Sequence, residues 1–356
     1  MMSGTLVIRA DASAEIGTGH VMRCLALGQA WEDAGGRVIF ITGCVNPQLL
    51  RRLCEEGFEV HVLKQVHPNA EDLGATARFL AANSEAWAVL DGYHFDSQYQ
   101  REVKQTGCRL LVIDDIAHLP HYWADIVLNQ NILAEKLRYS CEPYTQLLLG
   151  TDYVLLRREF LTLGNWKRET PDVARRLLIT LGGSDPRNAS LKAVQALRCV
   201  RADSLEAVVV AGGDNPRYEQ LRSTSRSVRW PIRVEGHIAN MADLMTWADI
   251  AVAGGGSTCW ELAFTQVPAC IMVTAEHQRN VVTGLADEGV VRDLGSWSHI
   301  ATETLATEIS LLMRDSFQRA RMASRGRELV DGQGVHRVLT AMMSPMSSSA
   351  PQWSSQ

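Results

Sequence analysis

The sequence predicts an α/β protein of two domains of similar size that face one another, each built on a parallel sheet covered on both sides. Three observations carry this expectation. Short apolar runs alternate with helical stretches through residues 5–160, and the alternation starts again at residue 176. Several of these runs end in glycine-bearing loops, which is where open parallel sheets place ligands. The chain has 356 residues, of which 46% are hydrophobic, enough for two cores at roughly 100–200 residues per domain.

Taken in order, Leu6-Val7-Ile8 reads as a first strand, and Val21, Leu25, Leu27, Ala30 and Trp31 give the following helix a buried face. Strands are expected at Arg37 to Thr42, Gly57 to Leu63, Trp87 to Asp91 and Arg109 to Ile113, with helices at Leu49 to Glu56 and Glu71 to Asn83. Ala124 to Leu128 leads into Asn129-Gln130-Asn131, and the segment through Phe160 closes a first domain of residues 1–162. The polar stretch 163–175, with Gly164 and Pro171, reads as a linker. A second domain, 176–343, has strands at Arg176 to Leu181, Ala207 to Val210, Ile232 to Glu235, Asp249 to Ala253 and Val267 to Val273, the last of these being the final clear strand. Its end, Ala301 to Met343, reads as mostly helical and is expected to pack back over the joint between the domains. The tail, 344–356, is rich in Ser and Pro and is expected to be disordered.

Composition excludes several classes of function. A net charge of −5 argues against a general nucleic-acid binder. The eight cysteines are scattered without a CxxC or Cys/His cluster, so neither structural zinc nor any other metal is expected. No run approaches the ~20 apolar residues that span a bilayer, and no signal peptide is read at the start. A cytoplasmic monomer, without a cofactor and without membrane insertion, is expected.

Chemistry concentrates in two loops. In the stretch Arg9 to His20, Gly17, Thr18 and Gly19 let a ligand approach the backbone, and the next helix offers free N–H groups to an anion. His20 sits at that helix start, where an imidazole can take a proton from water; Asp11, in the same loop, is the expected partner that orients it. In the second domain, Gly254-Gly255-Gly256 precedes Ser257 and Thr258, whose hydroxyls can cap a helix or meet a diphosphate. Glu261, on the same helix face, can accept both hydroxyls of a ribose. Gly183 and Ser184, in the turn Gly182 to Asp185, are expected to touch the ligand, whereas Gly212-Gly213-Asp214 is expected to be an ordinary turn. Of the neighbours Asp114 and Asp115, which point to opposite sides of a strand, one is expected to be structural.

With these residues in view, the chain resembles the UDP-sugar hydrolases of pseudaminic acid biosynthesis, relatives of the glycosyltransferase that makes lipid II. The resemblance rests on Arg9 to Ser13 with Ile16 to Cys24, then Asp91-Gly92-Tyr93, Ile113-Asp114-Asp115, Leu128 to Asn131, Leu156 to Phe160, Leu181 to Asp185 and Glu276-His277-Gln278, in the family's order over roughly residues 5 to 290. It implies a GT-B architecture of two Rossmann-like domains facing a ligand cleft. It also implies metal-independent hydrolysis of UDP-2,4-diacetamido-2,4,6-trideoxy-β-L-altropyranose to UDP and free sugar, with inversion at C1. On that pattern His20 is the catalytic histidine and Tyr93 belongs to the sugar pocket. Ser257 and Glu261 meet diphosphate and ribose, and Ile238 meets uracil through its backbone. Arg157, His277 and Gln278 join the substrate contacts, His277 standing where many relatives carry Asn.

Two rivals use the same fold. A glycosyltransferase passes the sugar to an alcohol instead of water, and in a lipid II-type enzyme a membrane-docking patch on the first domain is expected, of which the sequence carries no strong example. A non-catalytic nucleotide-sugar binding protein has no need of a base at position 20.

Overall fold

The computed structural model describes residues 4–344 except 14, 45, 70, 84, 184, 213, 214, 237 and 239. Ser184, Gly213, Asp214 and the tail beyond 344 therefore lie outside the described residues. The first sheet contains β1 (Thr5–Ala10), β2 (Arg37–Thr42), β3 (Glu59–Val62), β4 (Trp87–Asp91), β5 (Arg109–Ile113), β6 (Ile126–Asn129) and β7 (Gln146–Leu149). All pairings are parallel, in the order β3-β2-β1-β4-β5-β6-β7. Its central strands are nearly continuous runs of buried Val, Ile and Leu, as a sheet covered on both faces requires. The helices are α1 (Gly19–Asp33), α2 (Pro47–Glu55), α3 (Asp72–Ala81) and α4 (Ser97–Lys104), followed by the short α5 (Arg158–Leu161).

The second sheet is built from β8 (Arg176–Thr180), β9 (Glu206–Val210), β10 (Ile232–Glu235), β11 (Ile250–Gly254), β12 (Ala269–Val273) and β13 (Val291–Ser296). It is also all parallel, in the order β10-β9-β8-β11-β12-β13. The helices here are α6 (Ala189–Ala196), α7 (Tyr218–Arg226), α8 (Met241–Trp247), α9 (Thr258–Phe264) and α10 (Arg279–Asp287), then α11 (Thr302–Arg314), α12 (Ser316–Leu329) and α13 (Gly334–Met343). The second sheet therefore has one strand more than the five expected, and the first has β6 and β7 beyond its five. β13 escapes the apolar pattern because it is an edge strand carrying Arg292 and Asp293.

Each sheet winds outward from its first strand in one direction and then returns to continue on the other side. The reversal falls between β1 and β4 in the first sheet and between β8 and β11 in the second, and a crevice forms where neighbouring loops diverge. Both expected ligand loops follow strands at these reversals, so their positions are fixed by topology.

Apolar packing is shared between the two cores at both margins of the expected second domain. Val154, Leu156 and Phe160 belong to the apolar cluster of the second sheet, with Ala242, Met245 and Trp260. Conversely Val335, Val338, Leu339 and Met342 of α13 join the core of the first sheet, with Leu25 and Trp31 of α1. The chain thus straddles both cores at 154–156, where Leu155 joins the first, and crosses a second time at α13. Gly334 makes the second crossing possible: a Cβ there would lie 2.3 Å from the Val154 carbonyl oxygen. The linker is not free chain, because the buried Arg319 donates to the carbonyls of Pro171 and Asp172, and Arg168 donates to those of Met245 and Thr265. Among the described residues no helix is long and apolar enough to cross a membrane.

Candidate active site

The cleft between the two sheets is a cavity of about 350 Å³, within the range of small-molecule sites. From the first domain it is lined by the loop Glu15 to Gly19 and by His20, Arg23, Tyr93, Asp115, Gln130 and Asn131. From the second it is lined by Gly182, Gly183 and Arg187, by Gly254 to Thr258, and by His277 and Gln278. The two faces come close, since a Cβ on Gly19 would lie 3.7 Å from Ser257 Oγ.

The first-domain loop is a tight turn stitched to Ser13. Its hydroxyl accepts the backbone N–H of Glu15 and Ile16, and Gly17, with φ of 79°, donates its N–H to the Ser13 carbonyl. That left-handed turn needs glycine, and it delivers His20 to the first turn of α1.

The partner of His20 is Asp91, not Asp11. The Nδ1 of His20 lies 2.6 Å from Asp91 Oδ1, at the end of β4, and Asp91 is fully buried. Residue Ala10 pairs with Asp91 across the β1–β4 ladder, so the pairing is set by strand register. With Nδ1 bound to a carboxylate it carries the proton, which leaves Nε2 as the free acceptor of the ring. Asp11 is also fully buried, but it faces away from the cleft. It pairs with Arg9 and accepts the N–H of Gly43 and of His67, so it anchors loops and is spent structurally. It does not line the cleft, contrary to the expectation for it.

Around the His20–Asp91 pair stands a network of Arg23, Asp115, Tyr93 and Asn131. Arg23, one helical turn beyond His20, donates to Asp91 Oδ2 at 2.6 Å and to Asp115 Oδ1 at 2.7 Å. Asp115 also accepts from Tyr93 Oη at 2.7 Å and from Asn131 Nδ2 at 2.6 Å. Burial alone would raise the carboxyl pKa values of Asp91 and Asp115, but Arg23 above all, with His20, outweighs it and holds both below the usual range. Burial, with the adjacent Asp115 carboxylate, pushes the Tyr93 hydroxyl well above its ordinary value, so it stays a neutral donor. The members all lie in the motifs that carry the resemblance, but only the i, i+3 spacing of His20 and Arg23 hints at which of them meet. Asp114 points the other way and takes the N–H of Ile116 and Ala117 and the hydroxyls of Tyr122 and Tyr139.

The second-domain face is open backbone. A Cβ on Gly183 would meet nothing within 4 Å, whereas one on Gly255 would lie 2.5 Å from Val282 Cγ2. Gln278 is anchored through Oε1, which accepts the N–H of Thr274 and of Ala275, and its amide nitrogen lies near Gly256. The His277 ring lies 5.6 Å from that of Tyr93 across the cleft, and burial lowers its pKa, favouring the neutral imidazole. Asp185 lines the cleft at the end of the turn that begins at Gly182 and also accepts the N–H of Ala189 and Ser190 at the start of α6.

Besides Asp11, three expected contacts do not line the cavity. Arg157 and Glu261 pair with each other beside it, Nη2 to Oε1 at 2.7 Å, and Ile238 is half-buried. Among the described residues, no group of three or more His, Cys, Asp or Glu side chains is arranged to hold a metal ion.

Comparison with known proteins agrees with this architecture. Residues 177–333 match the family described as Glycosyltransferase family 28 C-terminal domain. The chain is 26% identical to the spore coat polysaccharide biosynthesis protein SpsG of Bacillus subtilis (strain 168), over 93% of this chain and 95% of that protein. It is 23% identical to the UDP-2,4-diacetamido-2,4,6-trideoxy-beta-L-altropyranose hydrolase of Campylobacter jejuni, over 80% of this chain and 97% of the relative. Among solved structures, MurG of Acinetobacter baumannii superposes with a TM-score of 0.64 at 16% identity, covering 95% of this chain and 99% of its own. The chain therefore has a GT-B fold, two Rossmann-like domains closing on a shared cleft.

Proposed function

We propose that the protein hydrolyses a UDP-linked 2,4-diacetamido-2,4,6-trideoxy sugar to UDP and free sugar, with inversion at C1, as a step in pseudaminic acid biosynthesis. The observation that carries this reading is the His20–Asp91 pair at 2.6 Å, set at the mouth of α1 opposite the Gly254–Thr258 loop. The Campylobacter relative, named for this hydrolysis, supports the choice of substrate.

In this reading Ser257 and Thr258 meet the diphosphate, Glu261 the ribose and Ile238 the uracil, while Tyr93, Asn131, His277 and Gln278 surround the sugar. Water, held by His20 Nε2, attacks C1 from the face opposite the nucleotide. The new C1–O bond forms as the bond from C1 to the phosphate oxygen breaks, and the electron pair leaves with UDP. His20 takes the water proton, and Asp91 stabilises the imidazolium formed. Backbone N–H groups of the glycine loops answer the charge growing on the departing diphosphate. Arg23 holds both carboxylates in place and keeps them ionised.

A second reading, transfer of the sugar to an alcohol, is favoured by the match of residues 177–333 to a glycosyltransferase domain. Incubation with the UDP-sugar in buffer alone separates the two. Stoichiometric UDP and free sugar support hydrolysis, whereas turnover only after an acceptor is added supports transfer.

A further inference from the structure

Residues 157–159 connect the two helices that carry opposite sides of the cleft. Arg157 reaches into the second domain, where its Nη2 and Nε donate to Glu261 Oε1 of α9 at 2.7 and 3.2 Å. Its remaining amine, Nη1, donates to Glu159 Oε1 at 2.7 Å. The neighbouring Arg158 holds the far end of α1, with its backbone N–H on Gln29 Oε1 at 2.8 Å and its guanidinium on Asp33 at 2.7 Å. The first turn of α1 carries His20.

Glu261 uses only one oxygen in this pair: among the described residues Oε2 has no hydrogen-bond donor. The Arg157 and Glu261 side chains are only 11% and 14% exposed, so the pair is shielded from solvent and from screening by salt. We propose that Arg157 is a positioning residue for the nucleotide: it fixes Glu261 through Oε1 and leaves Oε2 to accept from the ribose hydroxyls. This rests on the reading above that Glu261 takes the ribose. It makes nucleotide capture by the second domain depend on a side chain supplied from the segment that also grips the catalytic helix.

The geometry explains why arginine is needed. A planar fork can serve Glu261 and Glu159 at once, while a single ammonium cannot reproduce both sets of bonds. The charges facing Glu261 are Arg157 and Glu159, with the Cys259 thiol two residues away and Glu56, just past α2, facing Arg157. Burial raises the Glu261 pKa and Arg157 opposes that rise. Without the guanidinium, burial and Glu159 both act to neutralise the acceptor that a ribose needs.

The test is calorimetry of UDP binding to the full chain, wild type and Arg157→Gln, between pH 6 and 8.5, with urea unfolding to check the fold. The wild type is expected to bind UDP. The variant is expected to bind on the order of tenfold more weakly near pH 6.5, as fits loss of charged hydrogen bonding. Its deficit should narrow as pH rises and Glu261 ionises, a dependence that a merely structural role would not produce. Arg157→Lys restores a charge without the fork and should remain severalfold weak; it carries the same test if the glutamine variant does not fold. Wild-type affinity in the variants, or a loss constant across pH, overturns the proposal while leaving the nucleotide reading intact. No UDP binding by the wild type overturns both.

Discussion

Replacing Asp91 with Asn tests the reasoning at its most exposed point. The Asp91 carboxylate is fully buried and accepts from His20 Nδ1 at 2.6 Å and from Arg23 Nε and Nη2 at 2.6 and 2.7 Å. An amide of the same shape keeps one acceptor and brings one NH2 group, which must face either the imidazole or the guanidinium, both donors. The histidine then favours the tautomer that presents a proton, not a lone pair, to the cleft. A correctly held base contributes ~10²–10⁴-fold, so turnover should fall on the order of 10³-fold, equivalent to about 4 kcal/mol of transition-state stabilisation. Breaking a buried ion pair costs ~3–5 kcal/mol of stability, and the lower end applies because Arg23 retains Asp115. Initial rates of UDP release measure the first effect, urea unfolding the second, and UDP calorimetry checks that the second domain is intact. An Asp91→Asn enzyme with unaltered UDP affinity and turnover within about threefold of wild type would refute the assignment of Asp91 as the group that orients the base.

His20→Asn should lower turnover by ~10²–10⁴-fold while UDP affinity stays within about twofold, measured by the same two assays. Gly183→Ala adds a methyl group to open space in the cleft, so calorimetry should show weaker UDP binding while stability changes by under about 0.5 kcal/mol. Gly334→Ala brings a Cβ against Val154 backbone at 2.3 Å and should cost ~1–3 kcal/mol in urea unfolding by loosening α13 from the first core. Asp91 and Asp115 have folded pKa values depressed mainly by Arg23 against burial, so their stabilisation is present above the unfolded value and lost as pH falls through the folded ones. The urea midpoint should accordingly stay flat from neutrality to about pH 5 and drop below about pH 4, with a smaller drop in Asp115→Asn.

The sheets are legible in the sequence where strands are buried on both faces. Runs such as Leu6 to Ile8 and Ala251 to Ala253 are unbroken and apolar because parallel strands at a sheet centre meet helices on each side. The edge strand β13 and the polar helices α4 and α7 lack that signal. Tyr99, Gln100 and Val103 are the buried residues of α4, and Leu221 and Ser225 those of α7, too few to mark a period. The loop before His20 is legible because its glycines are local requirements of the turn. The partner of His20 is not, since Asp91 lies 71 residues away and meets it only because β4 returns to pair with β1. Asp11, nearest in sequence, is drawn instead into a buried pairing with Arg9. Contacts between domains, such as Arg157 with Glu261, leave no trace in periodicity because they depend on how two finished cores are docked.

In the proposed reaction, water activated by His20 displaces UDP from the sugar. Its most direct test is to follow the purified protein with UDP-2,4-diacetamido-2,4,6-trideoxy-β-L-altropyranose by NMR, in buffer containing EDTA and no acceptor. Equimolar UDP and free sugar are expected, the sugar first appearing with the anomeric configuration opposite to that of the substrate. Retained configuration, or an intact substrate in the presence of protein that binds UDP, would contradict it.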